Sequence, residues 1–465
     1  MTARTGAMMT ARTVAAISTP DTTGSIAMIR VSGENAIEIA EKIFIPANGK
    51  PVSGMAGYTA AYGSIRDKTK LDDGVLLVYR APKSYTGEDV AEITCHGGVY
   101  VARKVLQACI NAGARLAEAG EFTKRALLNG KMSLTQAESV IDVINSANGR
   151  YLACSNAQKD GALFRKTEEI ADKILGVSAH IAALLDYPEE GGAKAGGFEI
   201  SSRIGLLDDC RLQLSSLLES HEIGRIMREG VITAIVGKTN AGKSTLMNLM
   251  TRDDRSIVTD IPGTTRDVIE ETVNMDGAVL RLCDCAGIRE TGDAVEKIGI
   301  ELMLKRIEEA ALILAVFDNS RPLEKEDYAL IEKIAGKTVV CVINKIDLES
   351  KTDLSELSAR FGNTVKICAK DGASLNALVA AVNGALGINA ADLSAGFIAN
   401  ERQRVCALDA KLALTEAIAG IENGAPLDAT GFWLENALDA LYRLSGKRAS
   451  ARIIDEVFKN FCVGK

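Results

Sequence analysis

The sequence predicts a multi-domain protein of α/β and α class: a compact N-terminal α+β domain, a helical bundle, and a doubly wound α/β domain inserted within that bundle. Three observations carry this. A glycine-rich loop, Gly237 to Ser244, directly follows the apolar run Val231 to Val236 in mid-chain. Near Lys131 the hydrophobic pattern changes from short mixed elements to long helical repeats. After about Leu386 it returns to helix, so the α/β stretch is bracketed by helices.

At 465 residues the chain is too long for one ordinary core, and about three domains are expected. A hydrophobic content of 47% with 25% charged residues belongs to a globular protein. The net charge of -7 argues against nonspecific coating of nucleic acid, while leaving room for a local basic patch. No apolar run approaches the ~18 residues of a membrane span, and Met1 to Arg12 lacks an apolar leader core, so a cytoplasmic protein with no membrane partner is expected. Ten scattered cysteines, most in apolar contexts, read as reduced core thiols.

From Val14 to Lys131, strand-like Ser25–Val31, Gly74–Tyr79 and Val90–Thr94 alternate with helical Asn35–Phe44 and Val101–Ala112. Arg30 is odd in its apolar strand. A buried cation there needs a partner, which makes it a site candidate. Beyond Lys131, Leu134, Ala137, Ile141 and Ile144 form one helical face, and Ile170, Ile174, Val177, Ile181 and Leu184 another. A glycine-rich break (Glu189 to Gly197) precedes a seam through Leu207, Cys210, Leu214 and Leu217. From Val231 to Leu386 strands and helices alternate, which predicts a mostly parallel sheet. In the tail, Val405, Leu408 and Leu412 share one helical face and Leu434, Leu438 and Leu441 another, and the simplest packing sets these helices against the central ones.

The loop Gly237-Lys238-Thr239-Asn240-Ala241-Gly242-Lys243-Ser244 has the spacing of a phosphate cradle. Its backbone N–H groups can close on phosphate oxygens, Lys243 can reach the outer phosphates, and the Ser244 hydroxyl can bind Mg²⁺. Thr245 opens the helix that points its positive end at the same anion. Further motifs follow in order. Asp284-Cys285-Ala286-Gly287 follows a strand and suits a water-mediated Mg²⁺ contact and a γ-phosphate sensor. Asn344-Lys345-Ile346-Asp347 ends another strand. A carboxylate at Asp347 accepts both N–H groups of guanine and would be unpaired against adenine, so the site should select GTP. Cys368-Ala369-Lys370 is placed to brace the base. Between loop and second motif lies Thr259-Asp260-Ile261-Pro262-Gly263-Thr264-Thr265, with Thr265 placed to close over Mg²⁺ and γ-phosphate. Ile288 follows Gly287, so no glutamine orients the water, and no arginine is clearly placed to neutralise developing charge.

This set resembles the translation-factor-like GTPases with an apolar residue in place of the catalytic glutamine. More closely, it resembles the MnmE (TrmE) family of tRNA-modification GTPases. The resemblance spans nearly the whole chain: Ala27 to Gly33, Thr86 to Val90, His96 to Gly98, Gly120 to Ala126, Gln136 to Glu138, Asp186 to Glu190, the GTPase motifs, and the end Phe461-Cys462-Val463-Gly464-Lys465. It implies an N-terminal folate-binding and dimerisation domain over 1–131, a helical domain in two parts over 132–225 and 387–465, and a Ras-like P-loop GTPase domain over 226–386. Asn240, with carbonyls of Thr259, Ile261 and Thr264, would hold K⁺ beside the phosphates. Glu296 would orient the attacking water upon dimerisation of the GTPase domains. Arg30, Glu92, Lys131 and Lys465 would bind 5-formyl- or methylene-tetrahydrofolate.

The resemblance further implies a homodimer that joins a flavin-dependent partner protein, in a heterotetramer, to modify C5 of the wobble uridine of certain tRNAs. Cys462 is then either a catalytic thiol or a buried residue anchoring the tail. Cys285 and Cys368 stand where threonine and serine are common in the family. The alternative is a regulatory GTPase switch in ribosome assembly or stress response; such proteins usually append a basic RNA-binding module, whereas this tail is amphipathic helix.

Overall fold

The computed structural model describes residues 12–186, 203–251, 270–283, 307–389, 393–459 and 461–464. The chain divides into two units, Met1–Ile141 with Leu438–Lys465, and Asp142–Ala437.

The first unit is built on a seven-stranded sheet. Its elements are β1 (Val14–Ile17), β2 (Ile26–Ser32), α1 (Ala36–Ile43), β3 (Phe44–Pro46), β4 (Thr59–Arg66), β5 (Lys70–Tyr79), β6 (Val90–His96), α2 (Val99–Asn111), β7 (Arg115–Leu116) and α3 (Glu121–Leu128). The strand order is β3-β4-β5-β6-β2-β1-β7. Alternation in β2 puts Ala27, Ile29 and Val31 in the core with α1 and α2, and leaves Arg30 on the opposite face. The expected strands and helices are present. Strands β1, β3, β4 and β7 add to them; they are short or weakly patterned, so alternation alone does not reveal them.

Helices follow: α4 (Leu134–Ile144), α5 (Gly149–Lys159), α6 (Ala162–Asp186) and α7 (Ile204–Glu229). The α/β part of the second unit comprises β8 (Val231–Val236), α8 (Lys243–Thr251), β9 (Glu270–Met275), β10 (Ala278–Cys283), β11 (Leu312–Asp318), α9 (Lys325–Lys333), β12 (Val339–Asn344), α10 (Leu354–Arg360), β13 (Thr364–Lys366) and α11 (Leu375–Ala385). Its sheet order is β13-β12-β11-β8-β10-β9. All neighbours are parallel except the β9–β10 pair, which runs antiparallel at the edge. This is the Ras-like order. Strands β8, β11 and β12 are almost wholly buried, as a parallel sheet covered on both faces requires.

The tail forms α12 (Glu401–Glu422), α13 (Leu427–Ser445) and α14 (Ala451–Phe458). Helix α12 packs on α7, so helices from either side of the α/β segment meet, as expected. The face is not the expected one. Val405 and Leu412 are 42% and 56% exposed, while Cys406, Ala407, Ala410, Leu414 and Ala417 are buried. Small residues let the two backbones approach closely, and counting large aliphatics alone misses that. Ile144 is likewise exposed rather than buried beside Leu134 and Ala137.

Three asparagines hold the β9–β10 turn. Asn383 of α11 accepts from Ala278 N at 3.2 Å and donates to Met275 O at 3.0 Å. Asn148, the N-cap of α5, donates to Gly277 O at 3.2 Å and Met227 O at 3.3 Å. Asn274 donates to Ala147 O at 2.9 Å. Both Asn148 and Asn383 are buried. Their amides satisfy backbone groups that would otherwise be buried unpaired. The edge hairpin is thus tied to helices that flank the sheet.

Candidate functional site: a phosphate loop, a neighbouring strand-end loop and a charged N-terminal pair

The sheet order reverses about β8, and the phosphate loop leaves the carboxyl end of that strand, where doubly wound sheets bind ligands. Its course is dictated by close approaches. A Cβ on Gly237 would lie 2.3 Å from the Val316 carbonyl of β11. Gly242 adopts φ +102, and a Cβ there would lie 2.1 Å from Asn344 Nδ2. Asn240 takes a left-handed φ of 64 and is exposed, as is Ser244. Ala241 is buried, and Thr245 is half-buried in the first turn of α8. Lys243 donates to the carbonyls of Gly237 and Lys238, at 2.9 Å each. Its ammonium therefore lies folded over its own loop. Lys238 instead turns to the start of α9, where it pairs with Glu324 and, at 2.5 Å, with Glu326.

Asn344, at the end of β12, joins the loops. Its Nδ2 donates to Ala241 O at 2.9 Å and its Oδ1 accepts from Ala369 N at 3.0 Å. Phosphate loop and Cys368-Ala369-Lys370 segment are thereby clasped by one buried amide. Asp347 is exposed, with Oδ1 accepting from Cys368 Sγ at 3.4 Å. Cys368 N donates to Ser374 Oγ at 3.0 Å, while Lys370 is exposed. Lys345, at φ 64, reaches Asp318 at 2.7 Å. Burial acts to raise the Asp318 pKa, but hydrogen bonds from Lys345 and Ser320 outweigh it and hold the carboxyl below its ordinary value. Sequence reasoning missed Asp318 and the clasping role of Asn344. The first carries no motif, and the second is a three-dimensional relation.

The arrangement offers an anion cradle at a helix N-terminus beside an outward-facing carboxylate. Thr259, Asp260, Ile261, Pro262, Gly263, Thr264, Thr265, Asp284, Cys285, Ala286, Gly287, Glu296 and Lys465 lie outside the described residues. Among the described residues no group of three His, Cys, Asp or Glu side chains gathers to hold a metal. Of the residues expected at a Mg²⁺ or K⁺ ion, Ser244 and Asn240 are described, and both side chains are exposed, so that a hydroxyl and an amide are open to a hard cation.

In the first unit Arg30 finds its partner. Its Nε and Nη2 both approach Glu92 Oε1 at 2.8 Å, across paired strands β2 and β6. Its guanidinium carbon lies 5.6 Å from the Tyr85 ring centre and 5.4 Å from that of Phe122. Tyr79 donates to the other Glu92 oxygen at 3.3 Å, and burial followed by the Glu92 charge raises its pKa. Lys131 donates to Pro82 O at 3.0 Å and is exposed. The structure thus pairs Arg30 with Glu92; Lys131 binds the loop after β5 instead.

The chain end lies against this unit. Phe461 is buried with Phe458 over Gly120. Gly120 N donates to Cys462 O at 3.2 Å, and Ser18 Oγ donates to Gly464 O at 2.9 Å. Cys462 itself is exposed. The tail is anchored by its neighbours, and the thiol is not the anchor.

A Gly242→Ala substitution drives a methyl into the Asn344 amide at a positive φ. It should weaken GDP binding roughly tenfold to a hundredfold in titration calorimetry, and unchanged affinity would contradict the geometry.

Known families and relatives match the chain along nearly its whole length. The family described as "GTP-binding protein TrmE N-terminus" matches residues 13–131, and the "MnmE helical domain" matches 134–462. The tRNA modification GTPase MnmE of Thermoanaerobacter pseudethanolicus is 40% identical over 97% of this chain and 99% of its own. That of Bacillus subtilis is 39% identical over 97% and 100%. Among solved structures, Era of Aquifex aeolicus bound to GDP and AlF4⁻ aligns at 26% identity and TM-score 0.27, over 39% of this chain and 66% of that one. Motifs, fold and whole-length identity lead to one conclusion: the chain belongs to the MnmE (TrmE) family of tRNA modification GTPases.

Proposed function

We propose that this chain is a K⁺-stimulated GTPase that acts with a flavin-dependent partner to place a (carboxymethyl)aminomethyl group on C5 of the wobble uridine of certain tRNAs. The observation that carries the reading is membership of the family over 97% of the chain. The clasped phosphate and base loops agree with it. No helix among the described residues is long and apolar enough to cross a membrane, and a tRNA substrate suits a cytoplasmic location.

GTP hydrolysis adds the oxygen of water to the γ-phosphorus and breaks its bond to the bridging oxygen, releasing GDP and phosphate. In this reading Lys243 leaves the carbonyls of its own loop and meets the β- and γ-phosphates. Asp347 accepts the two N–H groups of guanine, and Cys368, Ala369 and Lys370 brace the base. Ser244 and Thr265 would hold Mg²⁺ with support from Asp284, and Gly287 would sense the γ-phosphate. Asn240, with carbonyls of Thr259, Ile261 and Thr264, would hold K⁺, which would supply the positive charge for which no arginine is clearly placed. Glu296 orients the water once two GTPase domains meet.

The GTPase domain spans 226–386 and interrupts a helical domain of 132–225 and 387–465. Residues 1–131 bind reduced folate and mediate homodimerisation, and two copies join the flavoprotein in a heterotetramer. At the folate site Glu92 suits the paired donors of a pterin, while Arg30, Lys131 and Lys465 suit carboxylates. Tyr85, which flanks Arg30 and is 37% exposed, offers an aromatic wall, while the buried Phe122 backs Arg30 from the core. The exposure of Cys462 supports its reading as a reactive thiol.

Cells lacking this protein should accumulate tRNA with an unmodified wobble uridine in nucleoside analysis; unchanged tRNA would overturn the proposal. GTP turnover should be markedly faster in K⁺ than in Na⁺, and Glu296→Ala should abolish it while GTP binding persists. Equal rates in both salts would remove Asn240 from its role, and retained turnover would remove Glu296.

A further inference from the structure

The turn between α13 and α14 is basic in an acidic chain. From Tyr442 to Arg452 there are four cations, Arg443, Lys447, Arg448 and Arg452, and no acid, in a protein of net charge -7. The turn is rigid. The N–H groups of Gly446 and Arg448 both donate to Tyr442 O at 3.1 Å. Gly446 adopts φ +91, and a Cβ there would lie 2.4 Å from Leu134 Cβ, so the turn is pressed against α4.

Two of the cations share one aromatic ring. Lys447 Nζ lies 5.7 Å and the Arg448 guanidinium 5.4 Å from the Tyr442 ring centre. Arg443 and Arg448 both approach Asp439, at 3.2 and 3.0 Å. The ring and this carboxylate hold the positive groups close together, where a bound anion gains from several at once. Lys447, Arg448 and Arg452 are exposed.

Attraction to the carbonyl end of α13 could account for Lys447 and Arg448 alone. It does not account for Arg452. That residue sits in the first turn of α14, capped by Ser450, where the helix dipole disfavours a cation and favours an anion. Both the side chains and the helix end therefore favour negative charge at this place. Helix α14 is about 12 Å long by its rise per residue. The exposed Cys462 follows a few residues beyond its far end.

We propose that this turn is an RNA-contacting surface, in which Lys447, Arg448 and Arg452 grip backbone phosphates of the tRNA. The inference rests on the tRNA reading above and adds a site to it. Phosphate contacts of this kind position an RNA without reading its sequence.

The test is fluorescence-anisotropy binding of labelled, unfractionated tRNA to the full-length protein between about 50 and 200 mM KCl, the range over which lost phosphate contacts show most clearly. The triple variant Lys447→Ala, Arg448→Ala, Arg452→Ala should bind more weakly, roughly thirtyfold or more at the lowest salt. Its slope of log K against log salt should flatten by about two to three, as for two or three lost phosphate contacts. GTP turnover and thermal midpoint should match the parent. The charge-conserving variant Lys447→Arg, Arg448→Lys, Arg452→Lys should bind as the parent does, which a purely structural role for these side chains would not predict. Parent-like binding and slope in the alanine variant would overturn the assignment and leave the tRNA reading standing. A parent protein that binds no tRNA would overturn both. Loss of binding to anionic phospholipid vesicles without loss of tRNA binding would reassign the turn to a membrane surface.

Discussion

The nucleotide site depends on one buried side chain, Asn344. A single amide donates to the phosphate loop at Ala241 and accepts from the Cys368-Ala369-Lys370 segment at Ala369. An amide suits this task because it presents a donor and an acceptor at once; an aspartate would set an acceptor against a carbonyl. Gly242 is required by the same contact, since a Cβ there would lie only 2.1 Å from the amide nitrogen. The strand that carries Asn344 ends three residues before Asp347. One fully buried strand end therefore sets the spacing between the glycine-rich loop and the exposed Asp347.

A comparable constraint operates in the first unit, through α3. Arg125 is buried and pairs with Glu121 at 2.9 Å and Glu88 at 3.0 Å; Glu88 in turn accepts from Ser32 of β2 at 2.8 Å. Burial acts to raise the Glu121 pKa, but Arg115 and Arg125 outweigh it and keep the carboxyl below its ordinary value. Buried charges are tolerated only when paired in this way. The same helix places Phe122 beside Arg30, and Gly120 just before it receives Phe461 and the backbone of Cys462. Gly464 lies against Ile17 and Ser18, at the end of the strand paired with that of Arg30. One short helix thus links the Arg30–Glu92 pair with the chain terminus.

Much of this was legible in the sequence because phosphate binding restricts the backbone itself. Glycines at the cradle, an apolar strand before it and a helix after it are what an anion site made of backbone N–H groups demands. The strand that carries Arg30 was equally readable, since alternation exposes a misplaced cation, although its partner Glu92 emerged only from strand pairing. What was not legible depends on contacts between distant segments. The buried face of α12 uses Cys406, Ala407, Ala410 and Ala417 because backbone approach matters more there than side-chain size. The outward orientation of Cys462 follows from Phe461 and Gly464 taking the anchoring contacts. The asparagine clamps on the β9–β10 turn join segments far apart in the chain, and no local pattern announces them.

The most direct test of this account is nucleotide affinity in the parent protein and in Asn344→Ala, with GDP and ADP measured side by side. Removing the amide leaves Ala241 O and Ala369 N buried without partners, each at about 1–3 kcal/mol. The parent should prefer GDP over ADP by roughly three orders of magnitude, and the variant should lose about a hundredfold in GDP affinity. A variant that binds GDP as tightly as the parent, or a parent indifferent to the base, would contradict it.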